Sequence, residues 1–153
     1  MKEFFKRNKW LILLISWMMV IFIFSNTPGD ESSKQSQVVL NILMALGIDM
    51  ESIFGDIATF IIRKGAHMTE YFILAFFSYK FFECNLKSKK CALKALVLTF
   101  LYACTDEFHQ YFIPGRAAAF KDVLIDTSGA IIFIIINKCV ETFRKVKHIE
   151  NKN

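Results

Sequence analysis

Four long apolar stretches constrain the fold of this chain more than any other feature of its sequence. They cover about residues 10–25, 66–83, 92–113 and 122–140, and each approaches the ~20 residues that a helix needs to cross a bilayer. The chain has 153 residues, 54% of them hydrophobic, which is more apolar surface than a water-soluble domain of that size can bury. We therefore predict an all-α fold, an integral membrane four-helix bundle that occupies residues 1–153 as a single membrane domain.

The distribution of charge predicts how the bundle is oriented. With both termini and the 85–94 loop in the cytoplasm, most of the 19 Lys and Arg residues lie on that side, as basic residues prefer. The basic N-terminal segment is typical of a secretory signal, but no small-residue cleavage site follows its apolar run, so we interpret it as an uncleaved anchor. The prediction is a multi-pass protein with cytoplasmic N- and C-termini.

The net charge and the cysteines narrow the set of partners. The basic flanks explain the net charge of +5 and attract anionic lipid, so the expected partner is the lipid bilayer and no nucleic acid. Four cysteines without a CxxC spacing indicate reduced thiols. The sequence does not indicate an oligomeric state.

An amphipathic segment is predicted between the first two spans, at about residues 32–62. Ser32 or Ser33 would cap its first helix, and residues 53–62 continue the pattern toward the second span. The helix would lie on the outer membrane face or pack over the mouth of the bundle, and packing of its apolar stripe in the core is the open alternative. The stripe consists of Val38, Val39, Ile42, Leu43 and Leu46.

Ionisable residues interrupt the last three apolar stretches. Each such group costs about 2.5–3.5 kcal/mol at the bilayer centre on insertion scales, so it persists where it is paired, hydrated or used. Residues three and four positions apart share a helix face, so each of these spans presents one polar stripe. The stripes are Arg63, His67, Glu70 and Tyr71; Asp106, His109 and Gln110; and Asp122, Asp126 and Gly129.

All three stripes fall toward the outer end of their spans, which predicts one shared site. Gly129 would allow a neighbouring helix to approach closely. The predicted inner layer is His67, Glu70, Asp106 and Asp126, and the predicted outer layer is Arg63, His109, Gln110, Arg116 and Asp122.

Charges at this site do not balance. Three cations (Arg63, Lys64, Arg116) face five acids (Glu70, Asp106, Glu107, Asp122, Asp126), a surplus of two negative charges. A protonated carboxylate, a charged histidine, Lys121 or a bound cation would each settle it. The cofactor is unknown: a divalent metal remains open but is not favoured, because no zinc spacing such as HExxH is present and intramembrane polar groups also pair with each other.

A purely structural role is the competing interpretation. Ion pairs of the Arg63–Glu70 and Arg116–Asp122 type would lock the helices in register, and Asp122 would cap the fourth helix. Tyr71 would be an aromatic residue of the membrane interface.

These residues, read in order, resemble the VanZ-like family of bacterial membrane proteins, named after a teicoplanin-resistance protein. The resemblance covers roughly residues 20–137 and implies a protein of the bacterial cytoplasmic membrane that contributes to glycopeptide tolerance, without supplying a reaction. It rests on Phe24-Ser25-Asn26-Thr27-Pro28, Arg63-Lys64-x-Ala66-His67-x-x-Glu70-Tyr71, Asp106-Glu107-x-His109-Gln110-x-Phe112-x-Pro114-Gly115-Arg116 and Asp122-x-x-x-Asp126-x-x-Gly129.

Two functional hypotheses follow. The first is an outward-facing membrane enzyme or carrier for an anionic lipid or lipid-linked cell-wall precursor. The second is a non-catalytic binding or accessory factor whose buried charges are structural. Under the first hypothesis, the catalytic candidates are His67, Glu70, Asp106, His109 and Asp126, and the substrate-binding candidates are Arg63, Lys64, Gln110, Arg116 and Asp122.

Overall fold

Every described element of the fold is a helix. The computed structural model describes residues 2–151, with the side chains of residues 8–149 and 151. No strand occurs in that part of the chain, so the predicted all-α class is confirmed. The helices are α1 (Lys2–Ser25), α2 (Gly29–Ala45), α3 (Met50–Phe54), a 3₁₀ turn (Gly55–Ile57), α4 (Ala58–Cys84), α5 (Cys91–Gln110) and α6 (Phe120–Glu150).

Length and apolar composition identify the candidate membrane spans. Asn8–Ser25 of α1 and Phe120–Ile149 of α6 qualify. Gly29–Ala45 together with Met50–Cys84 forms a third candidate, which is bent by 113°. Within the described residues, two helices are therefore long and apolar enough to cross a membrane, or three spans exist if the bent pair counts as one. Helix α5 does not, and it carries Lys94, Asp106 and Glu107 among its 20 residues.

Helix α4 is the centre of the bundle and packs against α6, α5, α1 and α2. A Cβ atom at Gly129 of α6 would collide with the carbonyl oxygen of Met68 in α4, so the two backbones touch there. The predicted close helix approach at Gly129 is thus confirmed. This contact brings the polar stripe of α6 against that of α4.

Two hydrogen bonds attach α1 to the other helices. The indole Nε1 of Trp17 donates to the carbonyl oxygen of Glu70 in α4 at 2.9 Å. The hydroxyl of Tyr102 in α5 donates to the carbonyl oxygen of Met18 at 2.6 Å. Each bond satisfies a polar group on an otherwise apolar surface, and together they fix the height of α1 relative to the polar stripes.

Helix α2 begins earlier than its sequence predicts. Its N-cap is Pro28 and its first residue is Gly29, so the prediction of Ser32 or Ser33 as the N-cap is wrong. Proline suits a helix start, where no donor is needed. The hydroxyls instead bond back along the helix, with Ser33 donating to the Gly29 carbonyl and Ser36 to the Ser32 carbonyl, both at 3.0 Å.

The buried face of α2 is small and mostly polar. Ser32, Ser36 and Leu40 are buried, whereas Val38 is 57% exposed and Ile42 is 55% exposed. Core packing, the open alternative for the apolar stripe, is therefore wrong for Val38, Val39 and Ile42. Val38, Ile42 and Leu46 of the stripe face away from the bundle, whereas Leu43 is half-buried.

The amphipathic segment is divided by two glycines. Gly47 and Gly55 adopt positive φ angles of 87° and 55°, which end α2 and α3 respectively. The residues from Ala58 onward belong to α4, so the second apolar stretch is the continuation of a helix that starts eight residues before Ala66. The basic and acidic residues of the second stretch thus lie within α4 and not at its first turn.

The opposite end of the bundle has its own polar contact. Tyr79 of α4 donates to Oε1 of Glu141 in α6 at 2.7 Å, and Asn137 donates to the same oxygen at 2.8 Å. This contact of Tyr79 and Asn137 with Glu141 holds α4 and α6 together far from the predicted site.

The four cysteines Cys84, Cys91, Cys104 and Cys139 are free.

Candidate functional site

Three side chains from three helices converge inside the bundle. His67 of α4, Asp106 of α5 and Asp126 of α6 each offer a nitrogen or carboxylate oxygen, and these atoms lie within 4.8 Å of one another. Asp106 is 4% exposed and Asp126 is 2% exposed. The structure therefore brings together three of the four residues of the predicted inner layer in one compact cluster.

Glu70, the fourth residue of that layer, lies one helical turn beyond His67. Its Oε2 is 3.7 Å from Nδ1 of His67, too far for a hydrogen bond, and neither atom has a hydrogen-bond partner among the described residues. Buried polar atoms are normally paired, so the two side chains are open to a further group.

Asp106 lies among polar side chains of three helices. Nε2 of Gln110 donates to its Oδ2 at 3.1 Å. The hydroxyls of Ser25 and Tyr71 lie beside the same carboxylate. Tyr71 is fully buried, so the interpretation of this residue as an interface aromatic is wrong. Ser25, which belongs to the motif at residues 24–28, was not among the predicted catalytic or substrate-binding residues.

Asp126 differs from Asp106 because one of its oxygens is unpartnered. Oδ2 of Asp126 is buried and accepts no hydrogen bond from any described residue. Leaving a buried acceptor unsatisfied costs about 1–3 kcal/mol. A carboxylate in that position is difficult to explain by packing alone.

The ion pair that joins α4 and α6 is not one of those expected. Nζ of Lys64 lies 2.6 Å from Oδ1 of Asp122, and both side chains are mostly buried. The N-cap of α6 is Ala119, so the interpretation of Asp122 as its cap is wrong. Among the described side chains, the structure shows neither an Arg63–Glu70 nor an Arg116–Asp122 pair within ion-pair distance.

Arg63 and Arg116 are the two site cations without a carboxylate partner in the described part of the chain. Nε of Arg116 donates to the carbonyl oxygen of Thr27 at 3.0 Å, and Nε of Arg63 is buried without a hydrogen bond. Burial, followed by the nearby Arg63 guanidinium, lowers the pKa of Arg116 from its ordinary value. The side chain nevertheless stays charged, so both guanidinium groups remain cations with no described carboxylate within ion-pair distance.

The loop between α5 and α6 holds Arg116 in place. Gly29 donates its backbone N–H to the carbonyl oxygen of Pro114 at 3.1 Å, and Gly115 has a positive φ of 72°. A Cβ atom at Gly29 would collide with the Gly115 carbonyl, so the two backbones are in contact. Oε2 of Glu107 accepts from the backbone N–H of Ala119 at 3.0 Å and fixes the start of α6.

A cleft of about 260 Å³ opens between the ends of α1, α2 and α4. Its wall combines apolar side chains with the unpaired cations and the His67–Glu70 pair, so it is suited to a ligand that is charged at one end and apolar at the other. It is lined by Phe24, Ser32, Gln35, Ser36, Val39, Ile62, Arg63, Ala66, His67, Glu70 and Arg116.

His109 lies apart from His67. Its Nε2 is 3.0 Å from Oδ1 of Asn26, which accepts a hydrogen bond when that nitrogen is protonated, and its ring centroid is 4.8 Å from that of Phe22. His109 is therefore held by α1 and the residues after it, and it does not line the cleft. Of the two histidine candidates, His67 is the one that does.

Comparison with known proteins agrees with these motifs. The family model described as VanZ/LLP1 matches residues 10–141, a range that includes every residue of the cluster and of the cleft. No curated protein and no solved structure matches the chain. Since the match covers most of the 153 residues, the chain belongs to the VanZ/LLP1 family.

Proposed function

We propose that this protein binds the phosphate-bearing headgroup of an anionic lipid or lipid-linked cell-wall precursor at the bacterial cytoplasmic membrane and acts on it. A contribution to teicoplanin tolerance would be the cellular result. The observation that carries the proposal is the cleft in which Arg63 and Arg116, both without a carboxylate partner among the described residues, stand beside apolar side chains.

Phosphate is the anion that suits this pair best. Guanidinium groups form paired, charge-assisted hydrogen bonds to phosphate oxygens, and these bonds strengthen where water is excluded. A volume of about 260 Å³ accommodates the phosphate end of a headgroup but not the acyl or isoprenoid chains. Those chains would extend along Val39 to the exposed apolar stripe of α2, where Val38 and Ile42 lie.

Proton transfer is the chemistry that Glu70 and His67 offer in the same cleft. A carboxylate or imidazole at this position can take the proton of an attacking hydroxyl or water as its oxygen bonds to phosphorus. It can then give that proton to the alcohol oxygen that leaves when the phosphoester bond breaks. The hydroxyls of Thr69 and Thr105 donate to carbonyls of their own helices, and the hydroxyl of Ser25 is buried beside Asp106; none of the three residues lines the cleft. We therefore assign the attack to water or to a hydroxyl of a second substrate.

The same proposal includes four spans with both termini in the cytoplasm and the cleft at the outer end. Burial supports α5 as a span despite its charges: Asp106 is 4% exposed and Glu107 is 6% exposed, so both face protein and not lipid. Reporter fusions at positions 88 and 117, on either side of α5, test this arrangement. Reporters on opposite sides of the membrane are expected, and reporters on one side would contradict it.

A susceptibility assay tests the cellular role. We expect expression in a teicoplanin-susceptible bacterium to raise the minimum inhibitory concentration. Glu70→Gln should abolish the protection because it removes the carboxylate from the cleft. The amount of protein in the membrane should be unchanged, because glutamine has nearly the same volume as glutamate. Glu31→Gln, at an exposed acid of α2, is the matched control and should protect like the unaltered protein. Equal protection by both variants would contradict a role for Glu70.

A non-catalytic binding factor is the second candidate, supported by the exposed stripe of α2. Under this hypothesis, the double substitution Val38→Ser and Ile42→Ser abolishes protection, whereas Glu70→Gln does not. Ile53→Ser, at a side chain 67% exposed in α3, controls for the loss of an apolar surface residue elsewhere. Loss of protection in Glu70→Gln favours action on the headgroup in the cleft, whatever the α2 variant does, because the lipid chains also lie on that stripe.

A further inference from the structure

We infer that His67, Asp106 and Asp126 bind a divalent transition metal ion, Zn²⁺ or Mn²⁺, next to the cleft. Binding of the ion is inferred from the cluster itself and does not depend on the proposed function. The role that we give the ion, which is to hold a phosphate oxygen, does rest on the proposed function.

The spacing of the three side chains fits a metal site. Their ligand atoms lie within 4.8 Å of one another in the structure. With ligand bonds of ~2.1 Å, neighbouring ligand atoms are separated by ~3.0–3.6 Å, so two side chains that each shift by roughly 1 Å complete the coordination. The three residues come from three helices, so the packing of the bundle holds them in place.

Unpartnered atoms point to a missing group at the same place. Oδ2 of Asp126 is buried and unpaired among the described residues, in a side chain that is 2% exposed. Nδ1 of His67 is buried and also lacks a hydrogen bond. A cation held by the cluster would satisfy Oδ2 of Asp126, which no donor of the described residues reaches.

The excess negative charge of the site is equal in size and opposite in sign to the charge of one divalent cation. Lys64 and Asp122 neutralise each other at 2.6 Å. Two cations, Arg63 and Arg116, then face four acids, Glu70, Asp106, Glu107 and Asp126, which leaves two excess negative charges. One divalent cation balances them without protonation of any carboxylate.

The ligand types select the class of metal. Imidazole favours zinc, iron or nickel over magnesium and calcium, and carboxylates favour manganese or zinc over soft ions such as Cu(I). Three protein ligands leave at least one coordination position for water or substrate. Because His67 also lines the cleft, that position can meet a phosphate oxygen. His67 is then a ligand, and Glu70 remains as the proton acceptor.

Metal titration of the purified full-length protein tests the inference. After removal of metal with a chelator, isothermal titration in detergent with Zn²⁺ and with Mn²⁺ should show one ion bound per chain. His67→Asn and Asp126→Asn should each weaken metal binding by about tenfold or more. Loss of a residue that only supports a ligand already costs that much, and loss of a ligand itself costs at least as much. His148→Asn and Asp30→Asn change the same residue types at exposed positions and should bind like the unaltered protein.

A spectroscopic measurement on the unaltered protein keeps the inference testable if a variant does not fold. Pulsed electron paramagnetic resonance of bound Mn²⁺ should show coupling to an imidazole nitrogen. No stoichiometric binding of either ion, bound Mn²⁺ without nitrogen coupling, or equal binding by the ligand variants and their controls would overturn the metal site. Retention of phosphatidic acid by the same preparation would show whether headgroup binding survives that result, so the two proposals can fail separately.

Discussion

Nζ of Lys64 lies 2.6 Å from Oδ1 of Asp122, which joins α4 to α6 beside the polar cluster. Their role in substrate binding stays a prediction, and in the structure the two residues pair with each other. The pair leaves Arg63 and Arg116 as the cations of the cleft. Its side chains are only 16% and 18% exposed, so its partners are incompletely hydrated.

Breaking this pair should destabilise the protein. We expect Asp122→Asn or Lys64→Met to lower the free energy of unfolding by about 1–3 kcal/mol, because each leaves a mostly buried charge without its partner. The double variant should lose less than the two single losses combined, which denaturant unfolding in detergent would measure. Strictly additive losses would mean that the two groups do not interact in solution.

The α4–α6 contact at Gly129 should not tolerate a methyl group. Gly129→Ala would place a Cβ atom against the Met68 carbonyl, and separating the helices should cost about 1–3 kcal/mol of unfolding free energy. Gly65→Ala in α4 meets no atom and is the matched control, with a gain of up to ~1 kcal/mol from helix propensity. Thermal unfolding of the two variants measures the difference, and equal stability would contradict the close approach.

The loop that carries Arg116 should be sensitive at Gly115. Gly115→Ala forces a residue with a side chain into a φ of 72° and moves it against Gly29. Gly47→Ala imposes a similar φ, 87°, in open space, so it controls for backbone strain. Both should lose about 1–2 kcal/mol of stability, but only Gly115→Ala should weaken lipid binding. Lipid binding that falls equally in both variants would contradict a positioning role for the loop.

The helix class and the meeting of the polar stripes could be predicted from the sequence. The spacing of His67, Asp106 and Asp126 within apolar segments indicated one shared site, because each residue needs a protein or water neighbour at membrane depth. The small residue at position 129 indicated a close helix contact, since only glycine allows the backbones to touch.

Individual partners could not be predicted, because helix periodicity gives a face but not the rotation and height of its neighbour. Lys64 rather than Arg116 therefore reaches Asp122, and His109 contacts Asn26 rather than the cluster. The start of α2 was missed for another reason. Ser32 and Ser33 have strong capping propensity, yet Pro28 already provides a helix start four residues earlier.

Lipid binding by purified protein tests the central claim most directly. Native mass spectrometry would compare retention of dioleoyl phosphatidic acid with that of dioleoylglycerol, which has the same chains and no phosphate. We predict selective retention of phosphatidic acid, weakened by about tenfold in Arg63→Gln and in Arg116→Gln, as the loss of a charge-assisted contact implies. Lys121→Gln, at an exposed cation, should bind like the unaltered protein. Equal retention of both lipids, or arginine variants that bind like Lys121→Gln, would contradict the account.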